Sequence, residues 1–156
     1  MILWGLATVA LASCTPPASD DNAANAAVFD NQVEAPAATD PLTTPEAAAV
    51  VVDHYGALAE RGAFAEAVKL WTNPIAAAQF NTNLEDYGKV KLTTGKPESE
   101  EGAAGSIFIA VPVTLDLTLR SGSPYQMTCK ATLRRVNDVP GSTAEQRRWH
   151  IESINC

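Results

Sequence analysis

At 156 residues the chain has room for one domain of ordinary size and not for two independent cores. It is 46% apolar and carries a net charge of −7, distributed unevenly. Residues 15–45 hold five acidic side chains and no Lys or Arg, while 13 acidic and all 11 basic residues lie from Glu46 onward, a net of −2. A nearly neutral folded part excludes the positive field that nucleic-acid binding needs, so no nucleic acid is expected as a partner.

The chain opens on MILWGLATVALAS, an uncharged and mostly apolar run. It is too short to cross a bilayer as a mature helix, and small residues close it at Ala12 and Ser13. These features predict a signal peptide over residues 1–13, although no Lys or Arg precedes the apolar run. Leu11 to Cys14, L-A-S-C, resembles the lipobox of bacterial lipoproteins. That resemblance implies cleavage before Cys14, fatty acylation of its thiol, and membrane lipid as the first partner. The next residue is Thr15 rather than the Asp that retains many lipoproteins in the inner membrane. By the same resemblance the protein is expected at the outer membrane, with its domain in the periplasm.

After Cys14, the segment to Thr44 is rich in Pro, Asp, Asn and Ala. Val28, Phe29 and Val33 are too few to offset the entropy of ordering it, so residues 14–44 are expected to form a lipidated, flexible tether. The domain is expected over residues 45–156. Thr44 suits a helix N-cap, Pro45 the first helical position, and Glu46 favours the positive end of the helix dipole. Ala48, Val51, Val52, Tyr55, Leu58 and Ala59 recur at helical spacing and form one apolar face, and Gly62 ends the helix. Phe64, Ala67, Val68 and Trp71 give a short second helix that Asn73-Pro74 breaks. Ile75 to Phe80 suits a third short helix, and Asn81 to Asp86 reads as a loop.

The hydrophobic period then falls to two. Lys89 to Thr94 alternates as a first strand, and Gly95 to Gly105 reads as a polar loop. Ile107 to Leu119 is the clearest strand, with Ile107, Ile109, Val111, Val113, Leu115, Leu117 and Leu119 on one face. Pro112 cannot donate to a ladder and marks a bulge or an unpaired position. Ser121-Gly122-Ser123 makes a hairpin into a strand from Tyr125 to about Val136. Pro140-Gly141 turns the chain toward a last strand near Arg147 to Ile154, with Trp149 and Ile151 inward. Antiparallel pairing of these last two strands brings Cys129 and Cys156 within reach of a disulfide. Strict alternation gives Cys156 the wrong parity, so a bulge within Glu152 to Asn155 is required. Two free thiols are the alternative.

Helices followed by an antiparallel sheet make an α+β domain. At VVDHYGALAERG (Val51–Gly62), FAEAVKLW (Phe64–Trp71), AAGSIFIAVPVTLDL (Ala103–Leu117), KATLRRVNDVPG (Lys130–Gly141) and QRRWHI (Gln146–Ile151) the chain resembles the NTF2-like, SnoaL-like superfamily. The resemblance implies N-terminal helices packed on a curved antiparallel sheet, a cone with a pocket between the two layers. The superfamily holds small isomerases and dehydratases as well as non-catalytic binders.

Candidate ligand contacts are Tyr55 on the apolar helix face, His54 at its border, Trp71 and Trp149. Asp53 reads as solvated, His150 points away from Trp149, and Asp116 suits an outer-face pairing with Lys130 or Arg120. Arg134, Arg135, Arg147 and Arg148 form the one basic cluster, a candidate contact for an anion or a protein partner. Arg134 and Arg135 fall on opposite faces of their strand. No serine sits in a nucleophile elbow, no phosphate loop is present, and neither a catalytic set, a metal site nor a cofactor is expected. The sequence favours a non-catalytic envelope module binding a small apolar ligand or a protein. The alternative is a small isomerase- or hydratase-type enzyme using the cone cavity.

Overall fold

The computed structural model describes residues 41–156. The expected leader, the expected acylation site at Cys14 and nearly all of the expected tether lie outside the described residues. A 3-10 turn at Pro41–Thr43 leads into α1, Pro45–Glu60. The Thr44 hydroxyl accepts the Ala47 N–H, capping the first turn as its chemistry dictates. Gly62, at φ 70°, turns the chain out of the helix. Helix α2 is a single turn, Phe64–Ala67, continued by 3-10 geometry at Val68–Leu70. Helix α3 runs Pro74–Glu85, with the Asn73 side chain accepting from Ile75 N and Ala76 N.

Helix α3 therefore includes residues 81–85, where a loop was expected. Ala77, Asn81 and Leu84 share its buried stripe. The low helix propensity of Asn81 and Asn83 is outweighed by burial of that stripe.

The sheet contains β1 (Tyr87–Thr94), β2 (Glu101–Ala103), β3 (Ser106–Leu119), β4 (Pro124–Val136) and β5 (His150–Asn155), all neighbours antiparallel. Its path is β1-β3-β4-β5, with β2 paired to the remaining stretch of β3. Strand β2 arises within the expected polar loop. Ala104 and Gly105 both take positive φ, and this turn folds Glu101–Ala103 back onto Ser106–Phe108. Pro112 sits where β1 gives way to the 95–100 loop. Its carbonyl accepts from Gly95 N on that side, so its missing N–H leaves no strand partner unsatisfied. Ile109, Val111, Val113, Leu115 and Leu117 of β3 and Cys129, Ala131 and Leu133 of β4 are buried under the helices.

Between β4 and β5 the register shifts after Thr132. Thr132 faces Ser153 and Leu133 faces Ile151, which leaves Glu152 as the extra residue. The shift restores the parity of the chain end, and Cys129 and Cys156 are joined, Cα–Cα 4.0 Å apart.

The expected cone does not form. The α+β layering holds, but the sheet neither closes nor curls strongly, and no pairing returns β5 to β1. The reason lies in α1. Gly56 sets the helix directly on β1, where a Cβ at that position would lie 3.0 Å from Leu92 Cβ. Ala48, Ala59, Val52 and Tyr55 fill the rest of the contact, so the helix packs onto the sheet instead of spanning a hollow. At the far edge, Trp71 bridges Ile151 in parallel and Thr72 N donates to Ile151 O, covering part of β5.

Candidate functional site

Between α3 and the lower sheet lies a cleft of about 310 Å³. Phe80, Leu84 and Tyr87 form one wall, and Leu115, Leu117, Met127 and Ile154 form the sheet side. The disulfided Cys156 sits at its rim beside Asn155 and Asn83. Along α3 the small buried residue Ala77 gives way to the bulkier Phe80 and Leu84 toward the C-terminus.

Phe80 links the cleft to a buried aromatic group. Its ring centroid is 5.8 Å from that of Trp71 and 6.3 Å from that of Tyr55, and Tyr55 and Trp71 meet edge to face at 5.9 Å. The Tyr55 hydroxyl donates to Asn81 Oδ1 at 2.6 Å. Burial pushes the Tyr55 hydroxyl well above the ordinary tyrosine range, so it stays a neutral donor at any physiological pH. The Asn81 Nδ2 is buried with no hydrogen-bond partner among the described residues. A desolvated, unpaired amide costs free energy that an arriving acceptor would recover.

The expected site residues are distributed as follows. Tyr55 and Trp71 lie together in this aromatic group. His54 is exposed on the opposite side of α1, as is Asp53. Trp149 is buried elsewhere, its Nε1–H donating to Thr44 O at 2.9 Å and its ring facing the Arg135 guanidinium at 5.1 Å. The four arginines do not form one cluster, although Arg134 and Arg135 border a common recess. Arg134 donates to Ser106 Oγ on the outer sheet face, Arg147 holds the Ser142 carbonyl, and Arg148 pairs with Glu145. Asp116 accepts from Gln126, whereas Lys130 pairs with Glu98 and Arg120 caps the carbonyls of Glu85 and Asp86. Sequence reading missed Asn81, Phe80 and Met127. The spacing of Ala77, Asn81 and Leu84 was the available signal. Among the described residues no cluster of three or more His, Cys, Asp or Glu has metal-binding geometry.

Two other recesses differ in character. A broad one of about 900 Å³ over β1, β3 and β4 is lined by Lys89, Lys91, Asp116 and Gln126. Another, of about 450 Å³, is apolar and lies beside the start of α1, between Leu42, Val50, Leu70 and Trp149.

No family model matches the sequence, and no curated protein matches it either. Solved structures do match the fold. An NTF2-like superfamily protein from Salmonella enterica subsp. enterica serovar Typhimurium str. LT2 aligns with TM-score 0.50 and 11% identity, over 71% of this chain and 87% of that one. The described domain is similar in fold to that NTF2-like protein. Aln2 from a Streptomyces species aligns at TM-score 0.47 and 14% identity, over 73% of this chain and 91% of that one. A periplasmic fragment of TraM aligns at TM-score 0.48 and 14% identity, over 72% of this chain and 98% of that one. At such identities the likeness speaks of fold alone.

Proposed function

We propose that the protein is a lipid-anchored envelope module whose cleft between α3 and the sheet takes a small apolar ligand bearing one hydrogen-bond acceptor, such as a ketone. The unpaired Asn81 amide carries this reading. It is held by Tyr55, whose ring packs on Phe80, the residue shared with the cleft wall. The apolar lining supplies burial energy and the amide supplies orientation, the usual division of labour in small-ligand sites. Asn81 itself does not line the cleft, so a ligand seated there reaches the amide only once Phe80 rotates.

The second reading is an isomerase- or hydratase-type enzyme, and the Tyr55–Asn81 pair favours it. The Asn81 amide N–H, held in place by the Tyr55 hydroxyl bonded to its Oδ1, would stabilise the oxyanion that forms on an enone when water adds or a proton moves. Tyr55 is a donor here and not a base, so the proton acceptor in such a reaction would be water brought in with the substrate. Cyclohexanone and cyclohexenone distinguish the readings. Binding of both, with neither hydration nor exchange of α-protons in D₂O, supports the module. Turnover of the enone that Tyr55→Phe abolishes supports the enzyme. No shift of the Asn81 side-chain amide with either compound contradicts both.

The anchor rests on the L-A-S-C sequence, the apolar run before it and the acidic, proline-rich segment after it. The outer membrane facing the periplasm is the proposed location, on the strength of Thr15. Intact mass of protein extracted from membranes tests this. A chain starting at Cys14 with added acyl mass is expected, and a chain starting at Met1 without lipid would contradict it.

A further inference from the structure

At the end of the sheet where β4 runs out and β5 begins, a separate recess of about 270 Å³ is bordered by Trp71, Thr72, Arg134, Arg135, Gln146 and His150, with Glu145 at its rim. Two nitrogens of its lining residues are buried and have no hydrogen-bond partner among the described residues: Trp71 Nε1 and Arg135 Nε. Such coincidence is costly. The Arg135 side chain is only 10% exposed, and its ion partner, Glu100, stands 3.7 Å away, beyond hydrogen-bond length. Its remaining support is the face of Trp149 at 5.1 Å. A guanidinium this buried is normally saturated with acceptors, because desolvating it without them is unfavourable.

The surrounding charges say which acceptor fits. Arg134 is occupied on the outer face by Ser106. Glu145 is drawn outward by Arg148 at 3.1 Å and His150 at 3.4 Å. Glu100 offsets part of the Arg135 charge. Arg134, Arg135 and Arg148 against Glu100 and Glu145 leave a formal excess of one positive charge, which suits a monoanion better than a doubly charged phosphate. The tryptophan wall and the volume suit a small organic acid.

We propose that this recess binds a small organic monocarboxylate, its oxygens accepting from Arg135 Nε–H and Trp71 Nε1–H. The site is distinct from the α3 cleft: Phe80 and Met127, which line the cleft, do not border it, and Arg135 does not border the cleft.

Titration of the ¹⁵N-labelled full chain with sodium benzoate, ionic strength held constant with chloride, tests the proposal. The Trp71 indole N–H signal, assigned with Trp71→Phe, is expected to move downfield and saturate. The Trp149 signal, already bonded to Thr44, is expected to stay nearly still. Arg135→Met is expected to weaken binding at least tenfold while the melting temperature changes little, since a buried guanidinium with only a loose ion partner in Glu100 has been replaced by an apolar chain that can still pack on Trp149. Arg135→Lys keeps the charge but removes the Nε–H, and is expected to weaken binding several-fold. Glu145→Gln, which removes the carboxylate at the rim, is expected to tighten it. An unsaturable benzoate response, an equal response to chloride, or undiminished binding by Arg135→Lys would overturn the proposal. A fall in melting temperature for Arg135→Met together with unchanged benzoate affinity in Arg135→Lys would assign Arg135 a structural role instead.

Discussion

The Tyr55–Asn81 pair makes a prediction that depends on a partner being present and not on volume alone. Tyr55 is fully buried and Asn81 nearly so, and their 2.6 Å hydrogen bond joins α1 to α3. Tyr55→Phe removes only the hydroxyl and strands Asn81 Oδ1 beside an already unpaired Nδ2, costing about 1–3 kcal/mol. Asn81→Leu strands the Tyr55 hydroxyl but also removes the unpaired amide, so its net cost is smaller, on the order of 0–2 kcal/mol. The double variant leaves no stranded polar atom, and its stability is expected close to that of the parent, since exchanging both partners for apolar groups is nearly neutral. The cycle therefore has a favourable coupling of roughly 1 kcal/mol or more between the two replacements. Urea unfolding of the oxidised chain, followed by tryptophan fluorescence with unchanged m-values, measures it. Additivity of the two single changes to within about 0.5 kcal/mol would refute the reasoning, because the two sites would then be independent.

Alkaline pH gives a second check. The Tyr55 pKa is raised in the folded state, so its contribution to stability is complete below the unfolded value near 10 and is lost as pH rises above it. Unfolding by urea should become easier above about pH 10 in the parent and less so in Tyr55→Phe. Reduction of Cys129–Cys156, which closes a loop with a sequence separation of 27, should cost about 3.5 kcal/mol on the chain-entropy scale and fray β5 first by hydrogen exchange. Gly56→Ala should fail to stabilise α1. The helix-propensity gain of about 1 kcal/mol is offset by overpacking against Leu92 of about 1–3 kcal/mol. A melting temperature above the parent's would show that α1 sits less tightly on β1.

Much of the fold was legible because two periodicities are unusually clean. Ala48, Val52, Tyr55, Leu58 and Ala59 on α1 and the odd positions from Ile109 to Leu117 on β3 are buried as the spacing requires, while Val51 and Ile107 are partly buried and Leu119 is exposed. Even the bulge that lets Cys156 meet Cys129 followed from parity, and Glu152 supplies it. Curvature was not legible. Whether the sheet closes depends on how closely α1 approaches β1, and that is decided by the contact of Gly56 with Leu92, two residues distant in sequence. Strand β2 was hidden in a polar stretch because its partner, β3, supplies the hydrogen bonds and Ala104-Gly105 supplies the turn. Of the site, Tyr55 and Trp71 were legible as aromatics on apolar faces. Asn81 was not, because an asparagine reads as a loop residue until the tyrosine hydroxyl it serves is known. The arginines looked like one cluster in sequence, yet Arg147 and Arg148 are held by Ser142 and Glu145 in the turn before β5, while Arg134 and Arg135 border a common recess.

The most direct test of the ligand assignment is a set of intermolecular nuclear Overhauser contacts from cyclohexanone at saturation. The account predicts contacts to Phe80, Leu115 and Met127, with a shift of the Asn81 side-chain amide that cyclohexane does not cause. Contacts confined to Leu42, Val50 and Trp149, with the Asn81 amide unmoved, would place the ligand in the apolar recess beside α1 and contradict it.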